Sequence, residues 1–188
     1  MRRDRENRHY LPGITFPAGL QVTLDLAEAI HEAREILIVV PSHAFASVCA
    51  QLAELHPALE SIAWATKGFD PASKTLLSEV ATHYFPRADL AVISGPTFAG
   101  EVAGGMPTAI TVAANTESHA QHIAALLRSD KFRPDTSADL FVVKVGGACE
   151  TISGIRRVSP AIRNGTSAHR LPASRSDGIP FSGLSRPA

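Results

Sequence analysis

Three short stretches carry residues suited to holding an anionic small molecule: Val40-Pro41-Ser42-His43, Thr66-Lys67-Gly68 and Ser94-Gly95-Pro96-Thr97. Each follows an apolar run and ends it on polar or turn-forming residues. A lysine ammonium, a threonine hydroxyl and the N–H groups at a helix start can together grip a phosphate or a carboxylate. Singly, each has a plainer reading: Lys67 a solvated loop lysine, Ser42 a helix cap, Gly95-Pro96 a strand-to-helix corner. Parallel strands would bring all three to one sheet edge, the edge at which open α/β sheets bind ligands. That joint placement favours the ligand reading.

Other candidates are weaker. His119 and His122 stand three apart in a helical pattern and could share a metal, but no third ligand is suggested nearby, so an exposed helix face is the simpler expectation. Gly146-Gly147 suits close backbone packing. Cys49 and Cys149 are far apart without metal-like spacing and read as buried small hydrophobes in a reducing, cytoplasmic setting. No Ser/His/Asp or Cys/His arrangement stands out, and there is no G-x-G-x-x-G motif to cradle a dinucleotide.

Segments of alternating character must position these residues. LQVT (20–23) is β-prone, and Asp25 opens a helical DLAEAIHEA. ILIVV (36–40) lacks polar alternation, as a strand covered on both faces does. Ser42 is a natural cap for the helix HAFASVCAQLAEL, whose Phe45, Val48, Cys49 and Leu52 share a face. SIAWAT (61–66), LAVIS (90–94), TAITVAA (108–114) and FRPDTS (132–137) read as further strands. Helices are predicted over 73–85, where Leu76, Leu77, Val80, Ala81 and Tyr84 form one stripe, and over 117–129. This is the pattern of a doubly wound α/β sheet, the last two strands being parallel or antiparallel. From Arg156 to Ala188 the pattern stops: 33 residues hold six Arg, six Ser and four Pro, with no Glu or Lys. Such a tail forms no packed core, and its abrupt onset is consistent with coding sequence read in a shifted frame.

The 188 residues are 45% hydrophobic and carry 18 basic and 18 acidic side chains. Zero formal charge argues against nucleic-acid binding, and no run approaches a membrane span. A small-molecule partner remains, with self-association into a homo-oligomer compatible.

NRHYLPGITFP (7–17), VPSHAF (40–45), WATKGF (64–69), LLSEV (76–80), ISGPTFAGEVAGGMPTAITVA (93–113), LLRSDKFR (126–133) and VGGAC (145–149) occur in an order that closely resembles the bacterial NAD(P)-dependent sn-glycerol-3-phosphate dehydrogenases. The resemblance covers residues 7 to 155. It implies a partial Rossmann-like NAD(P)-binding domain over 1–137, the start of an all-helical substrate domain over 138–155 and an irregular tail over 156–188. It also implies hydride transfer between NAD(P)H and dihydroxyacetone phosphate, giving sn-glycerol 3-phosphate for phospholipid synthesis. By residue, it implies Lys67 touching both substrate and cofactor, Gly95 and Thr97 holding substrate, and Ala99 against cofactor. The WATKG and SGPTFA blocks tell against ketopantoate-type or other 2-hydroxyacid reductases.

Three departures qualify that expectation. The family's first strand and its Gly-rich pyrophosphate turn precede the residues present here, which would leave ILIVV with an unpaired edge and LQVT without its neighbour. Glu150 and Thr151 occupy the positions of the family's catalytic lysine and its asparagine. A carboxylate cannot supply the lysine's charge to a developing alkoxide, and general acid–base catalysis is worth about 10²–10⁴-fold. The helical carboxyl-terminal domain is replaced by the tail. An impaired enzyme and a non-catalytic remnant are therefore both compatible with the sequence.

Overall fold

The computed structural model describes Met1 and residues 3–137. Five strands form one sheet in the order β1-β2-β3-β4-β5: β1 (Ile36–Ile38), β2 (Ser61–Trp64), β3 (Asp89–Ser94), β4 (Thr108–Ala114) and β5 (Phe132–Ser137). Strands β1, β2 and β3 are parallel, β4 is antiparallel to β3, and β5 is parallel to β4. The helices are α1 (Leu26–Ile30), α2 (Ser42–Leu55), α3 (Leu77–Tyr84), α4 (Ala99–Ala103) and α5 (Glu117–Leu127).

The sheet is covered on both faces over β2 and β3, and their sequences show why. All four residues of β2 are buried. Ile62 and Trp64 join Phe45, Cys49 and Leu52 of α2 and Leu77, Val80 and Ala81 of α3 on one face. Ala63 turns to the other face, with Ala91 and Ile93 of β3, Ile110 and Val112 of β4, and Ala120, Ile123 and Ala124 of α5. Strand side chains alternate between faces, so a strand buried on both sides is apolar through its length, except at Ser61, whose hydroxyl is satisfied by Glu35. Small alanines on the second face let α5 lie close to the sheet.

Local chemistry sets the helix ends. The Asp25 carboxylate accepts from the Ala27 and Glu28 N–H groups at the start of α1, and the Thr116 hydroxyl accepts from His119 N–H at the start of α5. In α3 the Glu79 carboxylate reaches back to the Leu76 N–H at 3.2 Å. Pro134 lies in β5 at the sheet border, where a missing N–H is tolerated.

Three expectations are corrected. ILIVV is not covered on both faces: Ile38 is buried, but Leu37 and Val39 on the other face are exposed, because the described helices pack on the Ile38 side of this outer strand. Leu20–Thr23 forms no strand; Leu20 instead lies in a loop where the Arg5 guanidinium donates to its carbonyl and to that of Ala18. Ser42 is not a cap: Pro41 occupies the cap position with φ −58°, and Ser42 is the first helical residue. Proline's fixed φ suits the turn into α2, and its missing N–H leaves one donor fewer to satisfy at that helix start. The readings over 138–155 and 156–188, with Gly146-Gly147, Cys149, Glu150 and Thr151, lie outside the described residues.

Candidate functional site

Because β1, β2 and β3 are parallel, their carboxyl ends share one edge, and the three polar stretches converge there. Lys67 follows β2 and is partly buried. Its Nζ donates to the Gly95 carbonyl at 2.7 Å, spanning from the end of β2 to the end of β3. The Thr97 hydroxyl donates to the same carbonyl at 3.4 Å. An ammonium and a hydroxyl thus meet on one backbone oxygen, 28 and two residues away in sequence.

Gly95 cannot be another residue without movement. It has φ +150°, and a Cβ there would meet the Ala109 carbonyl oxygen at 2.9 Å and the Ile110 Cα at 3.1 Å. The antiparallel β4, which pairs Ser94 with Thr111, therefore brings its backbone against the start of the Gly-Pro-Thr turn. Gly68 has φ +102°, and its missing Cβ would lie 3.9 Å from Ser42 Cβ and Oγ. The start of α2 thus abuts the Lys67-Gly68 turn. Ala99 opens the short α4 and is exposed, as is Pro96.

Lys67, Gly95 and Thr97 are thus brought together, with Ser42 beside Gly68 on the same edge. Ala99 lies two residues beyond Thr97 on the exposed flank. Sequence reasoning underrated Thr66. It is buried at 8% exposure, and its hydroxyl accepts from the Val40 N–H at 3.2 Å, tying the ends of β1 and β2. A polar residue directly before the site lysine, closing an apolar strand, was the signal for it.

The histidine pair lies elsewhere, around residues that begin strands. His119 is buried, not exposed, at 6%, and its Nε2 has no partner. His122 Nε2 lies 2.9 Å from Glu35 Oε1, and Ser61 Oγ donates to the other carboxylate oxygen. Glu35 precedes β1 and Ser61 opens β2, so the cluster sits at the opposite edge from Lys67. Glu35 and His122 are 87 residues apart, which is why no spacing announced them. Burial raises the Glu35 carboxyl, but the Ser61 and His122 hydrogen bonds and the two histidine charges outweigh it and leave the pKa lowered. Burial pushes the His119 imidazole down; Asp89 and Glu35 oppose this and His122 adds to it. Among the described residues, no group of three or more His, Cys, Asp or Glu side chains could hold a metal ion. Nor is any described helix long and apolar enough to cross a membrane.

Comparison with known proteins agrees with the motif order. Residues 1–120 match the family described as NAD-dependent glycerol-3-phosphate dehydrogenase N-terminus. The chain is 44% identical over 154 residues to a glycerol-3-phosphate dehydrogenase [NAD(P)+] of Xanthomonas oryzae pv. oryzae (strain MAFF 311018), covering 81% of this chain and 45% of the relative. It is 44% identical over 151 residues to the same enzyme of Stenotrophomonas maltophilia (strain K279a), covering 80% and 44%. The chain therefore spans less than half the length of these curated relatives. Among solved structures, the glycerol-3-phosphate dehydrogenase of Coxiella burnetii superposes with a TM-score of 0.76 at 36% identity, covering 81% of this chain and 46% of that one. Motif order, a Rossmann-like sheet and these likenesses agree: the chain belongs to the NAD-dependent glycerol-3-phosphate dehydrogenase family, and matches its amino-terminal region.

Proposed function

We propose that the carboxyl edge of β1–β3 is the substrate wall of an NAD(P)-dependent glycerol-3-phosphate dehydrogenase, receiving dihydroxyacetone phosphate or sn-glycerol 3-phosphate. The observation that carries this is the Lys67 ammonium held 2.7 Å from the Gly95 carbonyl, with Thr97 on the same oxygen. An ammonium fixed between two strand ends adds attraction to a phosphorylated ketone, and the hydroxyl restricts its orientation. Gly95 and Thr97 hold substrate, Lys67 faces substrate and cofactor, and Ala99 lies on the cofactor side. The edge fits a nicotinamide cofactor, because Ala99 and Pro96 are small or flat and exposed and Gly68 presents backbone without a side chain. When bound, NAD or NADP supplies or accepts the hydride. The chain's own groups bind and orient the ketone.

The domain division follows the same reading: a partial cofactor-binding domain over 1–137, the beginning of a substrate domain over 138–155 and a separate tail over 156–188. The cellular role is glycerophospholipid biosynthesis in the cytoplasm.

A second reading is a non-catalytic relative that binds without turnover. It rests on Glu150, which stands where the resembling enzymes carry their catalytic lysine. One pair of measurements separates the two. Calorimetric titration of the full chain with sn-glycerol 3-phosphate reports binding, and loss of NADH or NADPH absorbance with dihydroxyacetone phosphate reports turnover. Binding with turnover supports the enzyme, binding without it supports the second reading, and neither would sink the proposed site.

A further inference from the structure

We infer that Thr66 is a positioning residue of this edge: its hydroxyl ends the β1–β2 ladder and thereby sets where Lys67 and the start of α2 stand. The inference rests on the substrate-wall reading above for its consequence, but not for its geometry.

The ladder between β1 and β2 pairs Ile36 with Ile62, Leu37 with Ala63 and Ile38 with Trp64. The Ala65 N–H then donates to the Ile38 carbonyl at 3.1 Å. In a parallel pair the next bond would run from the Val40 N–H to the Ala65 carbonyl. The Val40 N–H instead donates to the Thr66 hydroxyl at 3.2 Å. A side chain has taken the donor that a continued ladder would have given to backbone. The two strands are therefore free to part beyond Ile38 and Trp64 while remaining tethered.

Each strand leads directly into a piece of the site. Beyond Val40 the chain turns at Pro41 into Ser42 and α2. Beyond Thr66 it places Lys67 on the Gly95 carbonyl and Gly68 against Ser42. Thr66 is the last buried residue before this divergence. The Val40 donor is partly buried, and a donor left unpaired away from water is costly, so loss of the hydroxyl would be relieved by Val40 finding a new acceptor. Either adjustment, extended pairing or a hydrated gap, moves Lys67 and Ser42 relative to each other. Valine matches threonine in shape but not in its hydroxyl, whereas serine keeps the acceptor.

The test uses the full chain, labelled with nitrogen-15, as wild type, Thr66→Val, Thr66→Ser and Ile123→Val. The last thins the core on the α5 face and controls for lowered stability alone. Thr66→Val should shift the Val40, Ser42, Lys67 and Gly68 amide signals and weaken sn-glycerol 3-phosphate binding about tenfold, the order expected for one lost buried hydrogen bond. Thr66→Ser should restore affinity to within about twofold, and Ile123→Val should leave both readouts unchanged. Unmoved Ser42 and Lys67 amides in Thr66→Val, or the same affinity loss in Ile123→Val, would overturn the inference. A wild-type protein that fails to bind sn-glycerol 3-phosphate would overturn the substrate reading, while the amide shifts still decide the positioning. Wild type also gives a variant-free reading: a Val40 amide that exchanges freely would overturn the tether, and a protected one supports it.

Discussion

At the scale of single residues, the proposed site rests on groups whose alternatives are sterically or electrostatically closed. Gly95→Ala would place a Cβ 2.9 Å from the Ala109 carbonyl oxygen at φ +150°. Strain of this kind costs about 1–3 kcal/mol, so urea unfolding should show a matching loss of stability together with weaker ligand binding. Lys67→Met keeps much of the stem and removes the charge. A charge-assisted hydrogen bond is worth about 1.5–3 kcal/mol, so sn-glycerol 3-phosphate affinity should fall about 10- to 100-fold by calorimetry. An affinity unchanged by Lys67→Met would mean that the phosphate is held elsewhere. Cys49 is a contrast: it is buried between the sheet and α2, and burial pushes its thiol up to about 12. Since the thiolate is the reactive form, Cys49 should resist alkylation in the native protein and react only after denaturation, as mass spectrometry can show.

At the scale of elements, pairing and burial decide what local pattern leaves open. Ile62 is fully buried in β2, at the contact between sheet, α2 and α3. Ile62→Ala should cost about 2–5 kcal/mol, measurable by denaturant unfolding. The opposite sheet edge holds a histidine whose burial predicts a pH dependence near neutral. His119 has a lowered pKa, so between that value and the ordinary 6.5 the unfolded chain binds more protons. Its stabilising contribution is complete above 6.5 and is lost as pH falls below it. Glu35 is also lowered, so its contribution is present above the ordinary 4.5 and is lost at still lower pH. The urea midpoint should therefore fall from about pH 7.5 to about pH 5.5, and His119→Gln should flatten that fall. An equal fall in the variant would place the acid sensitivity in another group.

The same elements show what was legible in advance. Strands β2 and β3 are legible because double-sided burial leaves no polar alternation. Strand β1 has the same apolar run but buries one face only, with Leu37 and Val39 exposed. The ends of three parallel strands must share an edge. Lys67, Gly95 and Thr97 were placed on that edge by topology alone, without any distance. The β-prone Leu20–Thr23 misled, because propensity forms no strand without a neighbouring strand to pair with. The sequence does not decide the direction of β4, and it is the antiparallel β4 that makes Gly95 obligatory, a constraint invisible along the chain. The polarity of His119 points to the surface and carries no sign that α5 turns it inward, and Glu35 reaches His122 only through the folded sheet.

At the scale of the whole molecule, the family is established and the amino-terminal fold agrees with it, while the chain spans less than half the length of its curated relatives. What is proposed for this chain is one wall of a site: an ammonium, a hydroxyl and an obligatory glycine at the ends of two strands, with a third strand end alongside. Everything proposed for the chain turns on whether this wall binds a small phosphorylated substrate. A nuclear magnetic resonance titration of the full chain with sn-glycerol 3-phosphate, following backbone amides and the Lys67 side chain, decides it. Saturable shifts centred on Lys67, Gly95 and Thr97, leaving His119 and His122 at the opposite edge unmoved, are predicted. Shifts absent from the Lys67 edge, or centred on the histidine cluster, would refute the proposed site.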